Sequence, residues 1–227
     1  DGTWYELLLP PLTASTAVLT LVKRAKVSVD IADLVGRGVL TEDCLATLTD
    51  AVVSGANVVV VSTDAGARTT VLNALASLIP ETDRVVVLEA VPSVQMATDN
   101  VVWLRAQILP EDRAQLIASL PSLRGDRIVA DGLNGVDNSC LLELGLGGVR
   151  GLLMTAFGDS SADAIARLAS FCEVSGRASS AGGAHCLVAS GIDVLVHAEA
   201  DADGCSVAAV CSVSMNAAGD AVDLSDL

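Results

Sequence analysis

The stretch Ser62-Thr63-Asp64-Ala65-Gly66-Ala67-Arg68-Thr69 is where this sequence comes nearest to phosphate chemistry. It follows the short β-branched run Asn57–Val61. It leads into a helical pattern through Leu72, Leu75, Leu78 and Ile79 that Pro80 stops. Buried strand, small-residue loop and helix, in that order, is the arrangement in which backbone N–H groups and a helix N-terminus hold phosphate. The template is G-x-x-x-x-G-K-[ST]. Here Ser62 stands at the first glycine, Ala67 at the second and Arg68 at the lysine, and Thr69 keeps the hydroxyl that would hold Mg²⁺. A methyl at Ala67 disfavours positive φ and crowds the backbone where a phosphate must approach. Arg68 keeps the charge but spreads it over a planar fork. Asp64 puts a carboxylate into a loop that phosphate binding needs electropositive. On these residues alone a plain strand–loop–helix crossover is the leading reading, and a nucleotide site, with Arg68-Thr69-Thr70 opening its helix, the second.

Other groups offer less. His197 stands near Glu199, Asp201 and Asp203. One imidazole with solvated carboxylates reads as a polar hairpin ahead of a metal site. Ser160-Ser161 before Ala162-Asp163 reads as a helix cap, not a nucleophile. The six cysteines (Cys44, Cys140, Cys172, Cys186, Cys205, Cys211) form no C-x-x-C and read as reduced thiols. His185-Cys186 are adjacent in sequence, so on an extended segment they face opposite ways and share no metal. Trp4-Tyr5 and Trp103 serve equally as core or as interface.

The elements that must position these residues alternate. Strands are expected at Trp4–Leu9, Ala17–Val22, Asn57–Val61, Arg84–Glu89, Val101–Ala106, Arg127–Ala130 and Leu152–Phe157. Helices are expected from Thr41 to about Ser54, from the Arg68 region to Ile79, and over Glu111–Leu120 and Ala162–Phe171. Ile192–Ala200 and Ser206–Val213 flank Asp201-Ala202-Asp203-Gly204 and read as a hairpin, and the acidic end from Asn216 as an edge or a tail. The sum is an α/β fold with a mostly parallel sheet and a C-terminal antiparallel addition. Ligands on such a sheet bind at the carboxyl ends of its strands.

Composition bounds the rest. The 227 residues carry 13 Lys+Arg against 28 Asp+Glu, a formal net charge of −15. With a pI near 4.2, this excludes the basic stripe of a nucleic-acid surface and a polybasic lipid patch. Half the chain is apolar (52%), with 2% aromatic, so the core is built from Val, Ala, Leu and Ile. No apolar run reaches the roughly 18–20 residues of a membrane span. The start, Asp1-Gly2-Thr3-Trp4, carries neither Met nor a signal pattern, as a processed chain or an excised piece would. The two first strands and Lys23-Arg24-Ala25-Lys26 are too little for a domain and read as the tail of one.

Longer stretches carry a family resemblance. They are Pro10-Pro11-Leu12, Leu34-Val35 with Gly38 and Leu40-Thr41, Thr69-Thr70-Val71-Leu72-Asn73-Ala74-Leu75, and Ile79-Pro80 with Arg84-Val85-Val86-Val87-Leu88-Glu89. They continue with Asp126-Arg127-Ile128-Val129, Ala164-Ile165-Ala166-Arg167-Leu168 and Ile192-Asp193-Val194-Leu195-Val196. In this order they resemble the type II/type IV secretion ATPases, particularly the tight-adherence (Tad) pilus motor branch. The resemblance implies a RecA-like P-loop NTPase domain over residues 26–227, with 1–25 the end of an N-terminal domain and its linker. It implies ATP and Mg²⁺, hexamers (homomeric, or heteromeric with an active paralogue) and inner-membrane pilus or secretion platform partners. The implied location is the cytoplasm, at the inner face of the cell membrane.

The family's motifs then fall on named residues. Its Walker A loop covers Thr63, Asp64, Ala65, Gly66, Ala67, Arg68, Thr69 and Thr70, with Thr69 the Mg²⁺ ligand when nucleotide binds. Its Asp box keeps Glu89 alone, its following arginines fall on Trp103 and Gln107, and its Walker B acid on Asp131. Its two His-box histidines fall on Gly148-Val149 and Ala156-Phe157. Asp131 and Glu89 are thus the catalytic carboxylates that remain. Phosphoryl transfer depends on positioned cations, a metal and a carboxylate, and each lost electrostatic contact costs about 10²–10³ in rate. The expectation is a catalytically impaired structural or regulatory subunit. The alternative is an active, slow ATPase that powers pilin assembly or protein secretion.

Overall fold

The computed structural model describes residues 3–22, 31–201 and 204–227. The basic cluster at 23–26, the boundary expected at 25/26 and Asp203 lie outside them. A two-stranded antiparallel hairpin, β1 (Trp4–Leu8) and β2 (Val18–Val22), comes first. The main sheet has eight strands, from one edge to the other β10 (Val222–Asp226), β9 (Gly204–Met215), β8 (Val194–Asp201), β3 (Val58–Ser62), β7 (Leu152–Phe157), β6 (Arg127–Asp131), β4 (Val85–Glu89) and β5 (Val101–Arg105). The six from β8 to β5 are parallel, and β9 and β10 are antiparallel additions. The acidic C-terminal segment is therefore an edge strand.

Burial explains the strands. β3, β4 and β6 are buried along their whole length, and their apolar stretches, Val58–Val61, Val85–Leu88 and Ile128–Ala130, are what helices on both faces demand. Alternate residues of β3 serve two cores. Val58 and Val60 join the α2 (Glu42–Val53) and α3 (Ala65–Ala76) side. Val59 and Val61 join the side of α4 (Pro110–Ser119), α5 (Gly135–Leu146), α6 (Ser161–Val174) and α7 (Ala181–Gly191). A short helix α1 (Ile31–Gly36) precedes α2. Thr41 caps α2 by accepting from Cys44 N at 3.1 Å, and Ser160 caps α6 by accepting from Asp163 N at 3.1 Å. Both caps are where the sequence puts them.

Besides the short α1, two helices go unassigned in the sequence reading, α5 and α7. A third, α3, begins earlier than expected, at Ala65. Asp64 is the reason: its carboxylate accepts from Ala67 N at 2.8 Å, so the helix needs no longer loop before it.

The amino ends of the parallel strands are fastened by side chains. Arg127 donates to the Val52 and Val53 carbonyls at the end of α2 (2.7 and 3.1 Å) and pairs with Asp83 at 2.7 Å. Asn57 N donates to Asp193 at 2.7 Å, and the Asn57 side-chain Oδ1 accepts from Leu152 N at 3.1 Å. The carboxyl ends carry the clefts.

All six cysteines are free thiols. Burial pushes the Cys172 thiol up to about 11, against an ordinary value near 9, and also raises Cys140 and Cys211. A thiol reagent at pH 8 is expected to label exposed Cys186 quickly and half-buried Cys44 slowly, the other four only after unfolding. Above pH 9 the unfolded chain gives up the Cys172 proton while the fold still holds it. This contribution to stability, whole below pH 9, is expected to fall away towards pH 11 in a pH series of denaturation curves.

Candidate functional site

The site grows from the end of β3. Ser62 Oγ accepts from Asp64 N at 3.1 Å, which turns the chain in two residues, Thr63 and Asp64. Ala65 to Thr70 are already helical. Their backbone N–H groups point along α3 and do not converge around a loop. The first turn of the helix presents its Ala67 donor to Asp64, an intramolecular anion in the place where a helix dipole would favour a bound one. Arg68 turns back, and its guanidinium donates to the Ser62 carbonyl. Burial lowers its pKa, opposed by the nearby Asp131 and Asp64 carboxylates.

β6 delivers Asp131 beside α3. This carboxylate is 4% exposed, and three hydroxyls donate to it. They are Thr69 Oγ1 at 2.9 Å and Ser93 Oγ at 2.5 Å on Oδ2, and Thr155 Oγ1 at 2.8 Å on Oδ1. Arg68, Thr69, Ser93, Asp131 and Gly132 share the lining of a cleft of about 360 Å³. The structure thus brings together Arg68, Thr69 and Asp131. Hydroxyl and carboxylate oxygens are the right donors for Mg²⁺, but here Thr69 and Asp131 are bonded directly to each other.

Glu89 is placed differently. It is wholly buried at the end of β4, accepts from Ser93 N (2.8 Å) and Val94 N (3.0 Å), and is paired with Arg105. It shapes the loop that carries Ser93 into the cleft. Asn73 of α3 clamps the same loop, donating to the Ser93 carbonyl and accepting from Gln95 N. Trp103 lies on the edge strand β5 and is 40% exposed. Gln107 accepts from Trp4 Nε1 at 3.0 Å, tying the β1–β2 hairpin to the end of β5.

Of the two His-box positions, Ala156-Phe157 lie at the cleft edge of β7. Gly148-Val149 lie in the turn leading into β7, at the opposite edge of the sheet. His197 stands 4.0 Å from Glu199. Among the described residues no group of three His, Cys, Asp or Glu is arranged to hold a metal; the Asp201 side chain and Asp203 are not among them. No helix among the described residues is long and apolar enough to cross a membrane.

Sequence reading missed Ser93 and Thr155. Thr155 had a signal, a hydroxyl inside the apolar run Leu152–Phe157. Ser93 had none beyond standing four residues after Glu89.

No protein-family model matches the chain. In sequence it is similar to the probable conjugal transfer protein TrbB of Sinorhizobium fredii (strain NBRC 101917 / NGR234), with 34% identity over 171 residues, 74% of this chain and 52% of that one. It is also similar to the conjugal transfer protein TrbB of Rhizobium radiobacter, with 30% identity over the same shares. The chain therefore spans about half the length of these relatives. In structure it resembles the VirB11 ATPase of the Brucella suis type IV secretion system, solved in complex with sulphate. The TM-score is 0.65 at 20% identity, over 92% of this chain and 73% of that one. Over 171 residues the chain is homologous to these conjugal transfer proteins, and it shares the α/β fold of the VirB11 ATPase. Both sequence relatives are conjugal transfer proteins, so the tight-adherence branch is not the one these comparisons indicate.

Proposed function

We propose that this chain is a structural or regulatory subunit of a conjugal-transfer or type IV secretion machine, built on a secretion-ATPase fold whose own nucleotide site is impaired. The relatives' names favour conjugal transfer over pilus assembly of the tight-adherence type. The observation that carries the impairment is Asp64 on the first turn of α3, 2.8 Å from the Ala67 N–H. A β- or γ-phosphate at that helix end would meet a carboxylate already there. The only cation beside it, among the described residues lining the cleft, is Arg68, which is committed to the Ser62 carbonyl. In this reading the chain takes a place in a cytoplasmic ring, homomeric or beside an active paralogue, against platform proteins at the inner face of the membrane.

A second reading has its own support. Arg68, Thr69 and Asp131 meet at one cleft, the set with which a slow, Mg²⁺-dependent ATPase would work. Titration calorimetry with ATP, with and without Mg²⁺, separates the two. The expected result is no saturable heat, or a dissociation constant weaker than about 1 mM. Low-micromolar binding that needs Mg²⁺, with turnover lost in Asp131→Asn, would establish the second reading and end the first.

A further inference from the structure

α3 meets the Asp131 cleft with very little side chain. Its first turn is Ala65-Gly66-Ala67, and Ala65 and Gly66 line the cleft of about 360 Å³. The first N–H groups of a helix have no partner within it. At Ala67 N, the last of this turn, Asp64 Oδ1 stands at 2.8 Å. A Cβ on Gly66 would lie 3.1 Å from that same oxygen and meet no side chain beyond its chain neighbours. The carboxylate therefore lies against the bare backbone of the turn, in space that an oxyanion would otherwise take.

Its position is fixed from both ends of the residue. Ser62 Oγ accepts from Asp64 N at 3.1 Å, and the Asp64 carbonyl accepts from Arg68 N at 3.2 Å. Extended backbone at Asp64 (φ −89°, ψ 125°) gives way directly to helix at Ala65. One side chain thus does for this turn what a bound anion does at other helix starts.

Arg68 is the independent sign that the place suits an anion. Its guanidinium is half-buried beside the cleft, and burial works against its charge. Asp131 and Asp64 are near enough to favour that charge, yet among the described residues Arg68 forms a salt bridge with neither and donates to the Ser62 carbonyl. The two carboxylates are engaged elsewhere, Asp131 by three hydroxyls and Asp64 by Ala67 N.

We infer that Asp64 is a built-in substitute for phosphate, holding the first turn of α3 in its ordered form so that the cleft keeps its shape without nucleotide. On the impaired-site reading, on which this rests, the subunit's shape then does not follow the nucleotide supply. It keeps one state in the machine whatever the ATP level.

The test is amide hydrogen exchange of the full chain, read at Ala67 with and without inorganic pyrophosphate at constant ionic strength. In the unaltered chain this amide is expected to exchange slowly, and pyrophosphate to leave it unmoved. Asp64→Ala removes the cap and is expected to speed the exchange at least about fivefold, the factor by which a lost cap weakens a helix start. Pyrophosphate is then expected to restore the slow rate saturably, and to fail in Asp64→Ala/Arg68→Met. Four results overturn the inference: an Ala67 amide as slow in Asp64→Ala as before, no restoration by pyrophosphate, restoration that survives without Arg68, or a response to pyrophosphate already in the unaltered chain. Calorimetry of the unaltered chain with ATP and Mg²⁺ decides the impaired-site reading separately. No saturable heat there, together with any of those results, ends the substitute role alone.

Discussion

Asp131→Ala is expected to lower the free energy of unfolding by about 3–5 kcal/mol, read from urea denaturation. Its carboxylate joins three elements: α3 through Thr69, the loop after β4 through Ser93, and β7 through Thr155. Truncation leaves three part-buried or buried hydroxyls facing a gap; Ser93 Oγ keeps the Val91 carbonyl at 2.9 Å as an acceptor, while the Thr69 and Thr155 hydroxyls lose the acceptor they donate to. Asp131→Asn keeps one acceptor oxygen and is expected to lose about 1–2 kcal/mol. The comparison bears on function. A carboxylate kept for chemistry is commonly held at a cost to the fold, so its removal stabilises. If Asp131→Ala raises stability, the residue is poised for reaction, and the impaired-site reading loses its footing.

Arg127→Met is the second large effect, again about 3–5 kcal/mol, or a fall in Tm of roughly 6–20 °C for a chain of this size. The methionine matches much of the aliphatic stem, so packing is kept while the guanidinium goes. What is lost is the pairing with Asp83 and two hydrogen bonds to the last carbonyls of α2. A positive group at a helix C-terminus also favours the helix dipole. Gly151, at φ +73°, packs its backbone against the same side chain, and a Cβ there would lie 2.7 Å from Arg127 Cδ. A loss below 1 kcal/mol would mean that water replaces the guanidinium freely and that this edge of the sheet is not fastened as described.

The sequence was most legible where one physical demand dominated. Val58–Val61 and Val85–Val87 are β-branched and uninterrupted because both faces are covered, and no other element needs such a run. Thr41 and Ser160 cap helices with the geometry that their spacing to Cys44 and Asp163 implies. α5 was illegible because Asp137 to Leu142 are buried in succession. A helix surrounded on most sides has no polar stripe to set its period. α7 is built largely from Ala and Gly, whose small side chains leave the period faint. At the candidate site the spacing to Thr69 was visible. The early start of α3 was not, since it depends on Asp64 serving as a cap, a role that spacing to a glycine-rich template conceals. The joining of Thr155 and Ser93 to Asp131 depends on β6 lying between β7 and β4, an order that local sequence does not carry.

The place of β3 in the sheet also governs how the chain emerges from a ribosome. Its neighbours on both sides come late: Val58 pairs with Leu153 on one flank and Val194 on the other. At ordinary rates of synthesis β3 waits about 5–20 s for the first of these. Throughout that time four consecutive valines have both backbone edges open, and a bare valine segment with no charge and no proline is the kind that pairs with copies of itself. Until β7 arrives, α3 is its natural cover, since Ala67, Val71 and Leu75 follow at once and pack into the same core as Val58 and Val60. The early capping of α3 by Asp64 thus has a use in biogenesis. It lets a helix form within a turn of the strand and shield one face of it during the longest exposure that this fold imposes.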